Sequence, residues 1–233
     1  RRLLAHSTRS HHIQETSMER HAKLISICTI IATWVIYVAD LAINIFNMFG
    51  DSFWRSLIGI AAWKVYYATF VLFLFPILSC GSLLLSKPLK SRTLGVLMAV
   101  TFSTVCIYMH SIYFPFAKTA ALYATADHPT KQTLRDLLTH FTSIKDIFGV
   151  IFMAALLVIF AWIFIRVISG RTEYPRYFAF INPVTGLLVS ILLRTVAPGA
   201  REAIMPVFVS SFWLGLLMTS YLLYWLRLRS SRR

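Results

Sequence analysis

Five polar residues lie inside otherwise apolar stretches, and these are where chemistry would be sought: Asp40, Lys64, His110, Asn182 and Arg194. A polar or charged group at membrane depth is costly, so such groups pair, line a polar cavity or reach out to the headgroups. Asp40 has the sign to act as counter-ion to Lys64 or Arg194. An imidazole such as that of His110 is a ready proton carrier near neutral pH. Asn182-Pro183 interrupts a helical run, freeing a backbone carbonyl and supplying an amide, and transporters use such breaks to bind ligands or to hinge. Two readings stand for the set. The residues meet in one outward-facing polar pocket, or Lys64 and Arg194 snorkel from helix ends while His110 is structural.

The elements that would position these groups follow from composition. The chain is 58% hydrophobic and 14% charged, with a mean hydropathy of +0.68. Several apolar runs have the ~18 residues or more needed to cross a hydrocarbon core about 30 Å thick. None shows the alternating pattern of a transmembrane barrel strand. The expected fold is an all-α membrane protein forming a single integral membrane domain over residues 1–233. It has six transmembrane helices, at about 24–46, 57–85, 94–116, 146–168, 176–196 and 203–226, behind a basic tail at 1–15. Between the third and fourth, Leu134, Leu137, Leu138, Phe141 and Ile144 recur at helical spacing and predict one amphipathic interfacial helix.

Local signals set the expected boundaries. Thr16 with Glu19 matches a capping box, and Ser143-Ile144-Lys145-Asp146 is a second start signal, for the fourth span. Pro76 predicts a kink in the second span. Pro175 suits the first position of the fifth helix, and Gly170 ends the fourth. Trp54, Tyr108, Tyr113, Tyr224 and Trp225 are expected as interface anchors. The aromatic group Trp63, Tyr66, Tyr67, Phe70, Phe73 and Phe75 is expected to face lipid or a partner rather than to cage a ligand.

The net charge of +14 does not indicate nucleic acid, because the basic residues cluster at the ends of apolar runs. Lys87, Lys90, Arg92, Arg171, Arg176, Arg227 and Arg229 are expected to meet anionic lipid headgroups. Six crossings place 15 of the 23 lysines and arginines on the side of both termini and eight on the other. That excess puts the termini in the cytoplasm, or in the matrix of an organelle. The start, RRLLAHSTRSHHIQ, fits the remnant of a mitochondrial or plastid presequence, and equally a basic cytoplasmic tail.

No metal or cofactor is expected. Cys28, Cys80 and Cys106 make no CxxC or Cys/His spacing, and His6, His11 and His12 lack the further histidine boxes of a di-iron site. The nine acidic residues lie almost entirely in loops. Neither a nucleophile elbow, a phosphate-binding loop, a dinucleotide fingerprint nor a metalloprotease helix is present, so no catalytic residue is assigned.

The stretch TEYPRYFAFINPVTGLL, with helices on to about Tyr224, resembles the C-terminal helices of a family of uncharacterised polytopic membrane proteins. Asp40 at the end of the first helix and His110 in the third fit the same pattern. The resemblance points to residues and implies no activity. The functional expectation is a non-catalytic accessory subunit of a larger membrane complex, of the mitochondrial inner membrane, contacting lipids and other membrane subunits. The alternative is a small-molecule transporter or lipid-modifying enzyme built on the five polar residues.

Overall fold

The computed structural model describes residues 2–42, 52–196 and 211–231; the side chains of 2–18, 40–42, 52–53, 105–106, 109, 194 and 211 lie outside that set. Every regular element among the described residues is helical. The α-helices are α1 (Arg2–Ala42), α2 (Ser52–Ser56), α3 (Ala62–Phe70), α4 (Phe75–Leu85) and α5 (Arg92–Thr101). They continue as α6 (Ile107–Ser111), α7 (Tyr113–Thr125), α8 (His128–Ile168), α9 (Pro183–Val196) and α10 (Ser211–Ser231). Three segments, Glu19–Ala39, Ala62–Leu85 and His128–Ile168, are long and apolar enough to cross a membrane.

Successive columns run antiparallel, and polar contacts set their register. The Thr29 hydroxyl donates to the Ile77 carbonyl, and the Tyr67 hydroxyl to that of Val35. The Ser79 hydroxyl reaches the Ala99 carbonyl and lies 2.7 Å from the Ser103 hydroxyl. Gly81 allows the first of these crossings, because a Cβ there would overlap the Thr29 side chain. The Trp34 indole donates to the Thr219 hydroxyl at 3.0 Å and ties α1 to α10.

Several boundaries differ from the sequence expectation. The helix of α1 passes straight through Thr16–Glu19, since no glycine or proline interrupts 2–42. Around Pro76 the column stays helical but tightens to a 3-10 turn at Val71–Leu74, where the proline supplies no N–H to the turn before it. The third column continues to Thr125 through a π-helical segment at Phe102–Cys106.

The interfacial helix is not separate. It is the first half of α8, which runs unbroken from His128 through the expected start at Ser143–Asp146. A capping signal acts only where the chain is already turning, and here the turn is at 126–127, with Pro129 in the first turn of the helix. At 1.5 Å per residue α8 is roughly 60 Å long, twice the thickness of a hydrocarbon core.

Two apolar cores result. The larger joins α1, α4, α5, the second half of α8 and α10 around Leu78, Met98, Ile163 and Leu217. The smaller, built on Trp54, Ala68, Tyr113, Phe116 and Leu138, joins α2, α3 and α7 to the first half of α8. Trp54 (1% exposed), Tyr113 and Trp225 are therefore core residues, a correction to their expected role as interface anchors. Trp63, Tyr66, Phe70 and Phe73 do face outward, whereas Phe75 is buried. Cys80 is exposed and Cys28 half-buried, so neither is enclosed as the apolar setting suggested.

Candidate functional site

His110 stands at the seam between the two cores. Its ring lies 5.1 Å from Phe75 of the larger core and 5.4 Å, edge-on, from Tyr113 of the smaller. Nδ1 is 3.2 Å from the Ala68 carbonyl, which only accepts, so this nitrogen carries the proton. The π-helical turn just before α6 shifts the helical phase and rotates His110 onto this seam.

Lys64 is brought to the same end of the bundle, one turn before Ala68, but it is half-buried and its ammonium lies 5.8 Å from the Trp63 ring centroid. The ammonium thus rests over an aromatic face, a cation–π contact. Asp40 and Arg194 belong to α1 and α9, and their side chains lie outside the described residues.

Asn182 differs most from its sequence reading. Residues Arg176–Phe180 form a 3-10 turn, and α9 begins at Pro183. The Asn182 side chain is fully buried; Oδ1 accepts from the Val184 amide at 2.9 Å while Nδ2 donates to the Phe160 carbonyl at 3.1 Å. The amide is thus the cap of a new helix and a strut to α8, with both ends occupied. It is not a mid-helix break open to a ligand.

The Tyr174-Pro175-Arg176 turn is explained by packing. Thr172 Oγ1 accepts from the Tyr174 amide, and Tyr174 and Phe178 stack with their ring centroids 5.6 Å apart against Tyr221 and Tyr224. The Tyr174 hydroxyl donates to the Tyr221 carbonyl and the Tyr221 hydroxyl to that of Phe178. Burial, reinforced by the neighbouring Tyr221, Glu173 and Tyr224, lifts the Tyr174 hydroxyl well above the ordinary tyrosine range.

Two turns that carry expected headgroup residues dock on each other. The Glu173 amide donates to the Pro88 carbonyl, docking the 171–175 turn on the 86–91 turn. Arg166 pins both, donating to the carbonyls of Leu89, Lys90 and Arg171. Lys90 is held there at φ 51, a left-handed conformation unfavourable for any residue but glycine. Lys87, Lys90, Arg92, Arg171 and Arg176 lie in or beside these two turns as exposed side chains; Arg227, also exposed, is in α10, where the Arg229 guanidinium lies 4.8 Å from the Trp225 ring centroid.

Sequence reasoning missed Lys145. It is 2% exposed, in mid-α8, with Nζ 2.6 Å from Asp146 Oδ1. Leu138, Thr142, Lys145 and Gly149 form one buried face of α8, and Leu138 belongs to the smaller core. The Tyr108–Phe148 ring contact sets the register of the antiparallel hairpin and puts His110 level with Lys145 and Asp146. The available signal was the four-, three- and four-residue spacing that continues from Leu138 into the apolar run. Among the described residues no group of three or more His, Cys, Asp or Glu is placed to hold a metal ion.

One family model matches the chain over residues 53–228, about three quarters of its length, taking in His110, Lys145 and Asn182. It is described as a family of unknown function, DUF6796. The chain belongs to that family. No curated protein and no solved structure matches it. The family span opens within α2 and closes within α10, so it contains the whole of the smaller core and both turns of the basic junction.

Proposed function

We propose that this chain is a non-catalytic subunit of a larger membrane assembly, crossing the bilayer six times with both termini on the side of the basic junction. One observation carries the reading: Asn182, His110 and most of the buried hydroxyls described inside the bundle are occupied within the chain. Asn182 uses both ends of its amide, and His110 donates to a carbonyl. Ser26, Thr33, Ser79, Ser82 and Ser190 each donate to the carbonyl one turn back. A passage or active site needs polar groups held ready for a substrate, whereas Asn182 and His110 bridge to neighbouring helices and these hydroxyls are taken up by their own helix backbone. Only 22% of the apolar window of α8 is buried, against 39% and 44% in the other two candidate spans. That leaves a long apolar face for lipid and neighbouring subunits, while the basic junction meets anionic headgroups.

A second reading, a small-solute transporter or lipid-modifying enzyme, draws on one observation, the burial of Lys145 and Thr142 beside the His110 seam. Native-gel purification in mild detergent, followed by mass spectrometry, separates the two. Co-migration at fixed stoichiometry in a large assembly supports the subunit; migration as a lone monomer or small homo-oligomer sinks it. Under the second reading Asp40→Asn abolishes transport or turnover, and a variant that expresses normally with unchanged activity counts against it.

A further inference from the structure

Thr142 departs from the pattern of most other buried hydroxyls of this bundle. Six of them, Ser26, Thr29, Thr33, Ser79, Ser82 and Ser190, donate to the carbonyl four residues earlier. Thr142 is 2% exposed and its Oγ1 has no hydrogen-bond partner. An unmade hydrogen bond at a buried hydroxyl is costly, so its persistence calls for a cause. Lys145 lies one turn away on the same buried face.

The ion pair of Lys145 is itself unusual. Side chains at consecutive helical positions diverge by about 100° and do not face each other. The Lys145 ammonium nevertheless meets Asp146 Oδ1, with the lysine side chain 2% and the aspartate side chain 25% exposed. Ile147–Ile168, which follows, is almost unbroken apolar helix, about 33 Å long at 1.5 Å per residue. The pair therefore sits at the end of a bilayer-length stretch, on the side opposite the basic junction and level with the headgroup phosphates there.

We propose that Thr142 and Lys145 form a binding site for a small oxyanion, a phosphate or carboxylate group, and that Asp146 occupies the ammonium in the absence of the ligand. The ligand accepts from the Lys145 ammonium and the Thr142 hydroxyl, both held on one helix face. Asp146, whose side chain is 25% exposed, swings out as the ligand enters. Charge-assisted donors of this kind make the short, strong hydrogen bonds that oxyanions select. The inference goes beyond the subunit reading and does not depend on it, since either a subunit or a transporter can carry such a site.

The test uses the full chain in mild detergent, with thermal unfolding read as inorganic phosphate or acetate is added, and again as short-chain phosphatidic acid is added. At least one of these ligands should raise the midpoint of the native chain, and Lys145→Gln and Thr142→Val should each remove that rise. Asp146→Asn is decisive because its effect has the opposite sign. A tethered carboxylate competes at millimolar effective concentration, so its removal should tighten oxyanion binding about ten-fold. It should also lower the midpoint in the absence of ligand and let phosphate restore it. Stabilisation by phosphatidic acid alone assigns the site to a lipid headgroup, and stabilisation by phosphate or acetate assigns it to a free anion. If Asp146→Asn weakens the response or leaves it unchanged, or if no ligand shifts the native chain, the pair is structural and the proposal is overturned.

Discussion

Replacing Asn182 by alanine tests the central correction to the sequence reading. The side chain makes two hydrogen bonds in a fully buried position, one capping α9 through the Val184 amide and one bridging to the Phe160 carbonyl of α8. Loss of a helix cap costs about 1 kcal/mol, and loss of a neutral buried hydrogen bond about 1 kcal/mol more. A chain of this size loses about 2–4 °C per kcal/mol, so the midpoint should fall by about 4–8 °C. The assay is thermal unfolding in mild detergent, read by intrinsic tryptophan fluorescence. Asn182→Ser keeps an oxygen for the cap and should recover about half of the loss. Asn182→Asp keeps the cap acceptor but sets a carboxylate oxygen against the Phe160 carbonyl, and should be worse than alanine. An Asn182→Ala chain that melts within about 1 °C of the native one, well inside the expected loss, would show that the amide is not a strut and would restore it as a free group for a ligand.

Three further outcomes follow from the packing. Arg166→Ala removes three donors from the carbonyls that join the 86–91 and 169–171 turns, and should cost about 1–2 kcal/mol after allowance for partial exposure. Arg166→Lys should not recover it, because an ammonium lacks the planar fork, and limited proteolysis at Lys87–Arg92 reports the loosened turn in both variants. Gly81→Ala forces a methyl into the Thr29 side chain and should cost about 1–3 kcal/mol in the same melt, most of it recovered by adding Thr29→Ala. Tyr174 contributes a pH dependence. Its folded hydroxyl loses the proton at higher pH than the unfolded one, so its contribution is complete below the unfolded value, near 10.0, and falls away as pH rises above it. Tyr174→Phe should flatten that alkaline loss in a melt series from neutral to strongly alkaline pH.

The basic junction shows how much of a site can be legible. Lys87, Lys90, Arg92, Arg171, Arg176, Arg227 and Arg229 were grouped because each follows the end of an apolar run; the turns that carry or flank the first five do meet, while Arg227 and Arg229 lie in α10. Arg166 was counted with them as one more charge. Its three carbonyl contacts make it the residue that holds the junction closed, which no spacing rule shows, since its partners lie 77, 76 and five residues away in sequence. The outward-facing pocket fared differently. His110 and Lys64 do reach the same end, but one is buried against Ala68, Phe75 and Tyr113 and the other rests over Trp63.

What the sequence determined alone is the class and the rough course of the chain: apolar helices, charges at their ends, turns at Gly170 and at Lys87–Ser91. Those features are local, because hydropathy over about 20 residues decides whether a segment can replace water by lipid, and only a helix then satisfies its own backbone. Tertiary structure decided which polar residues have roles. Asn-Pro reads the same as a kink or as a cap, and the Phe160 carbonyl on a neighbouring helix selects the cap. Trp54 reads as an anchor until α7 and α8 close over it, and Lys145 reads as a loop charge until α8 runs through it with the smaller core at its side. Burial is a property of the partners that surround a position, and those partners are distant in sequence.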